Sequence, residues 1–148
     1  MSTTTPRLKN AFSESKNIFA DIQKVLVAHK VTDIRFKYDP SGNGRIIGME
    51  FSIAVDGTEY PFRLPARIEN VEKILYPRRH LTPTMREQAY RTAWANLRDW
   101  VTSQCAMIDT GMMKPEEVFL PYMIERSGER TFYEAMTERQ FLLPSGER

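Results

Sequence analysis

The residues best suited to chemistry in this chain stand together in the segment Tyr76-Pro77-Arg78-Arg79-His80-Leu81. Arg78 and Arg79 carry planar guanidinium forks that match phosphate oxygens, and Tyr76 offers a ring on which a base can stack. Arg63 and Arg67 lie just upstream and Arg86 just downstream. The segment leads into a long helical pattern, and the amino end of a helix attracts anions through its unpaired N–H groups. Arg63, Arg67, Tyr76, Arg78, Arg79, His80 and Arg86 are therefore the candidate nucleic-acid-binding set. The simpler reading of the same residues is a solvated basic loop, because arginine pairs are common on protein surfaces.

No catalytic constellation competes with them. The chain has no phosphate-cradling Gly-rich loop before a helix, no Gly-x-Ser-x-Gly, no His-Glu-x-x-His and no Cys-x-x-Cys. Two histidines, His29 and His80, and one cysteine make a poor set of metal ligands. Cys105 falls on an apolar helical stripe and reads as an inert core residue. His29 falls at the end of a predicted helix, where a cation complements the helix dipole. Asp33, Glu50 and Glu59 project from neighbouring predicted strands, where clustered acids could hold Mg²⁺. The expected register, however, sets Glu50 between Lys37 and Arg63, which is a cross-strand charge ladder. One nuclease type places Glu-x-Lys on its second strand, and the corresponding residue here is Ser52. The reading is a non-enzyme with no catalytic residue, no metal and no cofactor.

The elements that must position these residues follow from periodicity. Tyr90, Trp94, Leu97, Val101, Cys105 and Ile108 recur at spacings of three and four, with Ala89, Ala93, Trp100 and Met107 alongside. They predict one long helix from Thr82 to Gly111, with Thr82 capping it, Pro83 in its first turn and Gly111 ending it. Ser13 to Lys30 predicts a first helix, with Ile18, Ile22, Val25 and Leu26 on one face. From Asp33 to Leu64 the period changes to two, and Ile34-x-Phe36-x-Tyr38, Ile47 to Val55, and Tyr60-x-Phe62-x-Leu64 read as three half-buried strands.

Asp56-Gly57 and Asn43-Gly44 are hairpin dipeptides. Two-residue turns at both would set Phe51 opposite Phe62 and Phe36, and Ile53 opposite Tyr60 and Ile34. Pro61 lacks a ladder donor and places the third strand at an edge. After Pro65, Ile68, Val71, Ile74 and Leu75 predict a short helix ending near Pro77, and further short helices are expected from Pro115 and from Thr131 to Gln140, where Thr131 and Glu134 form a capping box. The expected fold is α+β: helix, three-stranded antiparallel sheet, long core helix and short C-terminal helices, in two layers. It makes a single domain over residues 13–143 between loose tails at 1–12 and 144–148.

Composition bounds the partners. At 148 residues the chain is long enough to bury a core, and 41% hydrophobic with 27% charged residues is ordinary for a globular protein. No apolar run approaches the roughly 20 residues of a membrane span, so no membrane partner is expected. A single cysteine forms no internal disulfide and leaves an intracellular location as the default. The net charge is only +2 but is uneven: residues 61–100 hold eight Lys/Arg against four acids, and 101–148 hold five against eight. A basic middle beside an acidic end suits a nucleic-acid face, or equally two halves of a self-association surface.

The pattern Gln88-Ala89-x-Arg91-x-Ala93-Trp94-x-x-Leu97-x-x-Trp100, then Gln104-x-Ala106-x-Ile108-x-x-Gly111, Phe119-Leu120-Pro121-Tyr122 and Thr131-x-Tyr133-Glu134, resembles small hypothetical proteins of bacteriophage and prophage genomes. The resemblance covers roughly residues 10–143. It implies a protein made in the cytoplasm of an infected bacterium and carries no catalytic residues. Two function classes follow: an accessory protein that binds DNA or RNA through the arginine-rich face, and a protein-interaction module that inhibits a host enzyme or self-assembles. The second rests on Phe119 to Met123 and Phe141-Leu142-Leu143, which are more apolar than short terminal helices require.

Overall fold

A computed structural model describes residues 17–77 and 80–142. Arg78, Arg79, the residues before 17 and those after 142 lie outside the described residues. The element order is α1 (Ile18–Val27), β1 (Val31–Tyr38), β2 (Ile46–Val55), β3 (Thr58–Arg63), α2 (Ile68–Leu75), α3 (Pro83–Asp109), α4 (Pro115–Phe119), a 3₁₀ turn (Leu120–Tyr122) and α5 (Phe132–Glu138). This is the expected α+β order. The described residues fall into two compact units, one drawn from 17–29 and 65–106, the other from 30–64 and 107–142.

In the first unit the helical stripe is buried as its spacing requires: Tyr90, Trp94, Leu97, Val101 and Cys105 on α3, with Ile18, Ile22 and Leu26 on α1. Phe19 meets the Trp94 ring edge-on, with centroids 4.8 Å apart. At 100° per residue, Thr92 and Ala95 lie on the side of α3 away from the stripe, yet both are fully buried. Their small side chains gave periodicity little to detect. Helix α3 begins where its cap predicts: Pro83 is its first residue, and Met85 N–H donates to Thr82 Oγ1 at 3.2 Å. Helix α1 stops at Val27, short of the expected Lys30, because Lys30 takes a left-handed backbone (φ 67°) that no helix continues through. Its expected first residues, 13–16, lie outside the described residues.

In the second unit the sheet runs β1-β2-β3, all antiparallel, with β3 at one edge. Asp56 (φ 51°) and Gly57 (φ 81°) both take the left-handed conformation of a two-residue hairpin turn, so Phe51 pairs with Phe62, Ile53 with Tyr60 and Glu50 with Arg63, as expected.

The first hairpin corrects the expectation. Its loop spans residues 39–45: Asp39 N–H donates to the Arg45 carbonyl at 2.8 Å, Ser41 N–H to Asp39 Oδ1 and Arg45 N–H to Asn43 Oδ1. These aspartate and asparagine turns consume residues that a two-residue turn would have left in the strands. Phe36 therefore pairs with Met49 and Ile34 with Phe51, a slip of two. A slip of two preserves which face each side chain occupies. Arg35, not Lys37, stands opposite Glu50, and Phe36 ends half-buried at the margin.

Phe51, Phe62 and Phe119 form a ring cluster, with Phe119 edge-on to Phe51 at 5.1 Å. The apolar run from Phe119 is thus partly core. The outer edge of β3 is not bare, because Ile124 N–H donates to the Pro61 carbonyl at 2.8 Å. Helix α5 starts with the expected capping box, in which Glu134 N–H donates to Thr131 Oγ1 and Thr131 N–H to Glu134 Oε1.

Candidate nucleic-acid interface

The described candidate residues are divided between the two units. Arg63 belongs to the second unit, where its guanidinium is in use. Its Nε donates to Glu50 Oε2 at 2.9 Å, Nη1 to the Glu129 carbonyl at 3.1 Å and Nη2 to the Gly128 carbonyl at 3.3 Å. Arg35 approaches the other Glu50 oxygen at 3.5 Å. The open face of the sheet therefore carries an Arg35–Glu50–Arg63 ladder, and the partner expected at Lys37 is corrected to Arg35 by the slipped register. Among the described residues no group of three His, Cys, Asp or Glu side chains is arranged to hold a metal ion.

The remaining candidates lie at the junction of α2 and α3. Tyr76 caps the end of α2, its N–H donating to the Glu72 carbonyl at 2.9 Å, and the residue is half-buried. Arg86 stands in the first turn of α3, mostly exposed. Both line a groove of about 460 Å³ together with Glu69, Glu72, Lys73, Pro77 and Leu81. Arg67 precedes α2 and His80 precedes α3, both exposed. Arg78 and Arg79 fall between Pro77 and His80, outside the described residues.

Sequence reading missed Glu69, Glu72 and Lys73 as groove residues. Their spacing held the signal, since residues 69, 72, 73 and 76 share one face of a helix at intervals of three and four. Glu72 is the most informative of them. Its side chain is only 15% exposed, and its ion pair with Arg86 Nη1 spans 3.9 Å, beyond hydrogen-bond length.

The two sequence-predicted inert groups have structural places. Cys105 is buried. His29 Nδ1 lies 2.6 Å from the Val25 carbonyl, so this nitrogen carries the proton and donates to one of the last free carbonyls of α1. Among the described residues no helix is long and apolar enough to cross a membrane. No family model, curated protein or solved structure matches the chain.

Proposed function

We propose that this chain is a non-catalytic accessory protein of phage type that binds nucleic acid at the α2–α3 junction, in the cytoplasm of an infected bacterium. The observation that carries the reading is the groove in which Tyr76 and Arg86 meet Lys73 beside the start of α3. From 69 to 86 the sequence holds four Lys/Arg against two Glu, and three of those cations stand within four residues of a groove-lining aromatic or proline. Phosphates are drawn by the arginines and by the amino end of α3, while the Tyr76 ring supplies a stacking surface. Arg67 and His80 are exposed, Arg78 and Arg79 add cations to the same stretch of sequence, and Arg63 serves the sheet. Binding to short single- and double-stranded DNA and RNA at two salt concentrations tests the proposal.

A second reading is favoured by a specific feature of the other unit. Phe132, Tyr133, Phe141 and Leu142 are exposed, and the Tyr133 and Phe141 rings lie 6.1 Å apart. Apolar side chains grouped in this way suit a protein partner, a host enzyme or a second copy. Native mass spectrometry of the purified chain separates self-association from a strict monomer.

A further inference from the structure

The two edges of the sheet are finished differently. On β3 the outer edge is in use: Ile124 N–H donates to the Pro61 carbonyl, and Met123 bridges Phe62. On β1, eight residues long, no strand or bridge lies on the outer side among the described residues. Thr32, Asp33, Arg35, Lys37 and Tyr38 are exposed and the other three residues are half-buried. An edge strand in this state is a template for another strand.

Hydrogen-bond alternation says which groups face outward. Leu64 N–H donates to the Met49 carbonyl at 3.0 Å, so Met49 turns its backbone to β3 and its neighbour Glu50 turns to β1. Arg35 stands opposite Glu50 and turns its backbone to β2, which points the N–H and carbonyl of Ile34 away from the sheet. Asp33, Arg35 and Lys37 share the open face that carries the Arg35–Glu50–Arg63 ladder. Asp33 stands opposite the uncharged Ser52, and Lys37 opposite Gly48. Edge charges of a single sign would repel a second copy, but β1 carries both signs.

A second copy laid antiparallel along this edge is related by a two-fold axis. For both open faces to stay on one side, one residue must meet itself. Centred on Asp33 or Arg35, the pairing sets that residue's charge against its own copy. Centred on Phe36, it sets Arg35 against Lys37. Centred on Ile34, it sets Asp33 against Arg35 twice, with no like charges face to face. Ile34 then exchanges both outward hydrogen bonds with its own copy, and the Asp33–Arg35 pairs fall at the positions where side chains approach most closely.

We infer that β1 is a self-association edge: two copies pair antiparallel about Ile34, and their three-stranded sheets join into one. The charge row Arg63–Glu50–Arg35 is then continued by Asp33 of the second copy. The pairing is short, because the register shift between Val31 and Asp33 ends the regular strand, so the dimer is weak and sensitive to salt. It uses neither the α2–α3 groove nor the exposed side chains of α5.

The test is native mass spectrometry and sedimentation equilibrium of the full chain at about 100 μM and low salt, where weak dimers are populated. The native chain is expected to exchange between monomer and dimer. Asp33→Arg sets like charges face to face and should weaken the dimer at least about tenfold, as should Arg35→Asp. Mixing D33R with R35D restores both opposite pairs, so the mixture should form a heterodimer while each variant alone stays monomeric. Ile34→Pro removes an outward N–H, leaves the β1–β2 hydrogen bonds in place, and should abolish the dimer. Lys37→Glu, which faces Val31 of the second copy in this register, should change the affinity by less than about twofold. A strictly monomeric native chain, a dimer untouched by D33R, or a dimer lost in K37E overturns the inference. So does a mixture of folded D33R and R35D that stays monomeric. If R35D or I34P fails to fold by circular dichroism, D33R, which alters an exposed residue opposite Ser52, still decides.

Discussion

Arg63 Nε donates to Glu50 Oε2 at 2.9 Å across β2 and β3, and the same guanidinium reaches the carbonyls of Gly128 and Glu129. One side chain thereby ties two strands to a loop more than sixty residues later in the chain, and most of its forked donors are engaged. Arg63→Met should lower stability by about 1–2 kcal/mol, the worth of charge-assisted hydrogen bonds discounted for partial exposure. Arg35→Met, whose pair with Glu50 is longer and more exposed, should cost less than about 1 kcal/mol. Urea midpoints at unchanged slope measure both. Nucleic-acid affinity should be the same in R63M as in the native chain. A tenfold loss of affinity with unchanged stability would return Arg63 to the binding surface.

Leu97 lies on the buried stripe of α3. Leu97→Ala removes methyl groups that the surrounding helices cannot fully replace and should cost about 2–5 kcal/mol. Chemical denaturation followed by Trp fluorescence reads the loss. A cost under about 0.5 kcal/mol would mean that the stripe is not packed.

Asp39 turns the first hairpin, and its carboxyl is held below the ordinary aspartate range, first by the backbone N–H of Ser41, with help from the Ser41 and Asn43 side chains and Arg45. A depressed folded-state pKa contributes stability above the unfolded value and loses it as pH falls through the folded one. The hairpin should therefore loosen only in acid, below the normal aspartate titration, and Asp39→Ala should abolish that acid step. Carboxyl titration by NMR is the measurement, and a midpoint at or above the ordinary aspartate value would contradict it.

How far the sequence revealed the molecule depended on how local the determining physics is. Thr82 before Pro83, Thr131 with Glu134, and Asp56-Gly57 act over two to four residues, and all three appear in the structure as expected. The β2–β3 register followed from Asp56-Gly57 because a two-residue turn leaves no freedom in pairing. Asn43-Gly44 failed as a guide because Asp39 and Asn43 close competing side-chain turns within the same loop, and the loop then takes seven residues. Burial of Thr92 and Ala95 was hidden because small residues look alike in a core and on a surface. In the candidate site, Tyr76 and Arg86 were found by residue type. Glu72 was overlooked because a search for phosphate chemistry looks for cations, and its burial is a tertiary property. Arg63 was chosen by charge alone, which does not report that a cross-strand carboxylate uses it.

The α2–α3 junction is tested most directly by the salt dependence of binding to a short single-stranded DNA. Each phosphate neutralised contributes about −0.7 to the slope of log affinity against log salt. The native chain should bind at about 50 mM salt and weaken with a slope steeper than about −1.4, as expected for at least two phosphate contacts. Arg86→Ala should make that slope shallower by roughly one contact, whereas R63M should leave it unchanged. No binding to DNA or RNA at about 50 mM salt, or a slope indifferent to Arg86, would contradict the proposed interface.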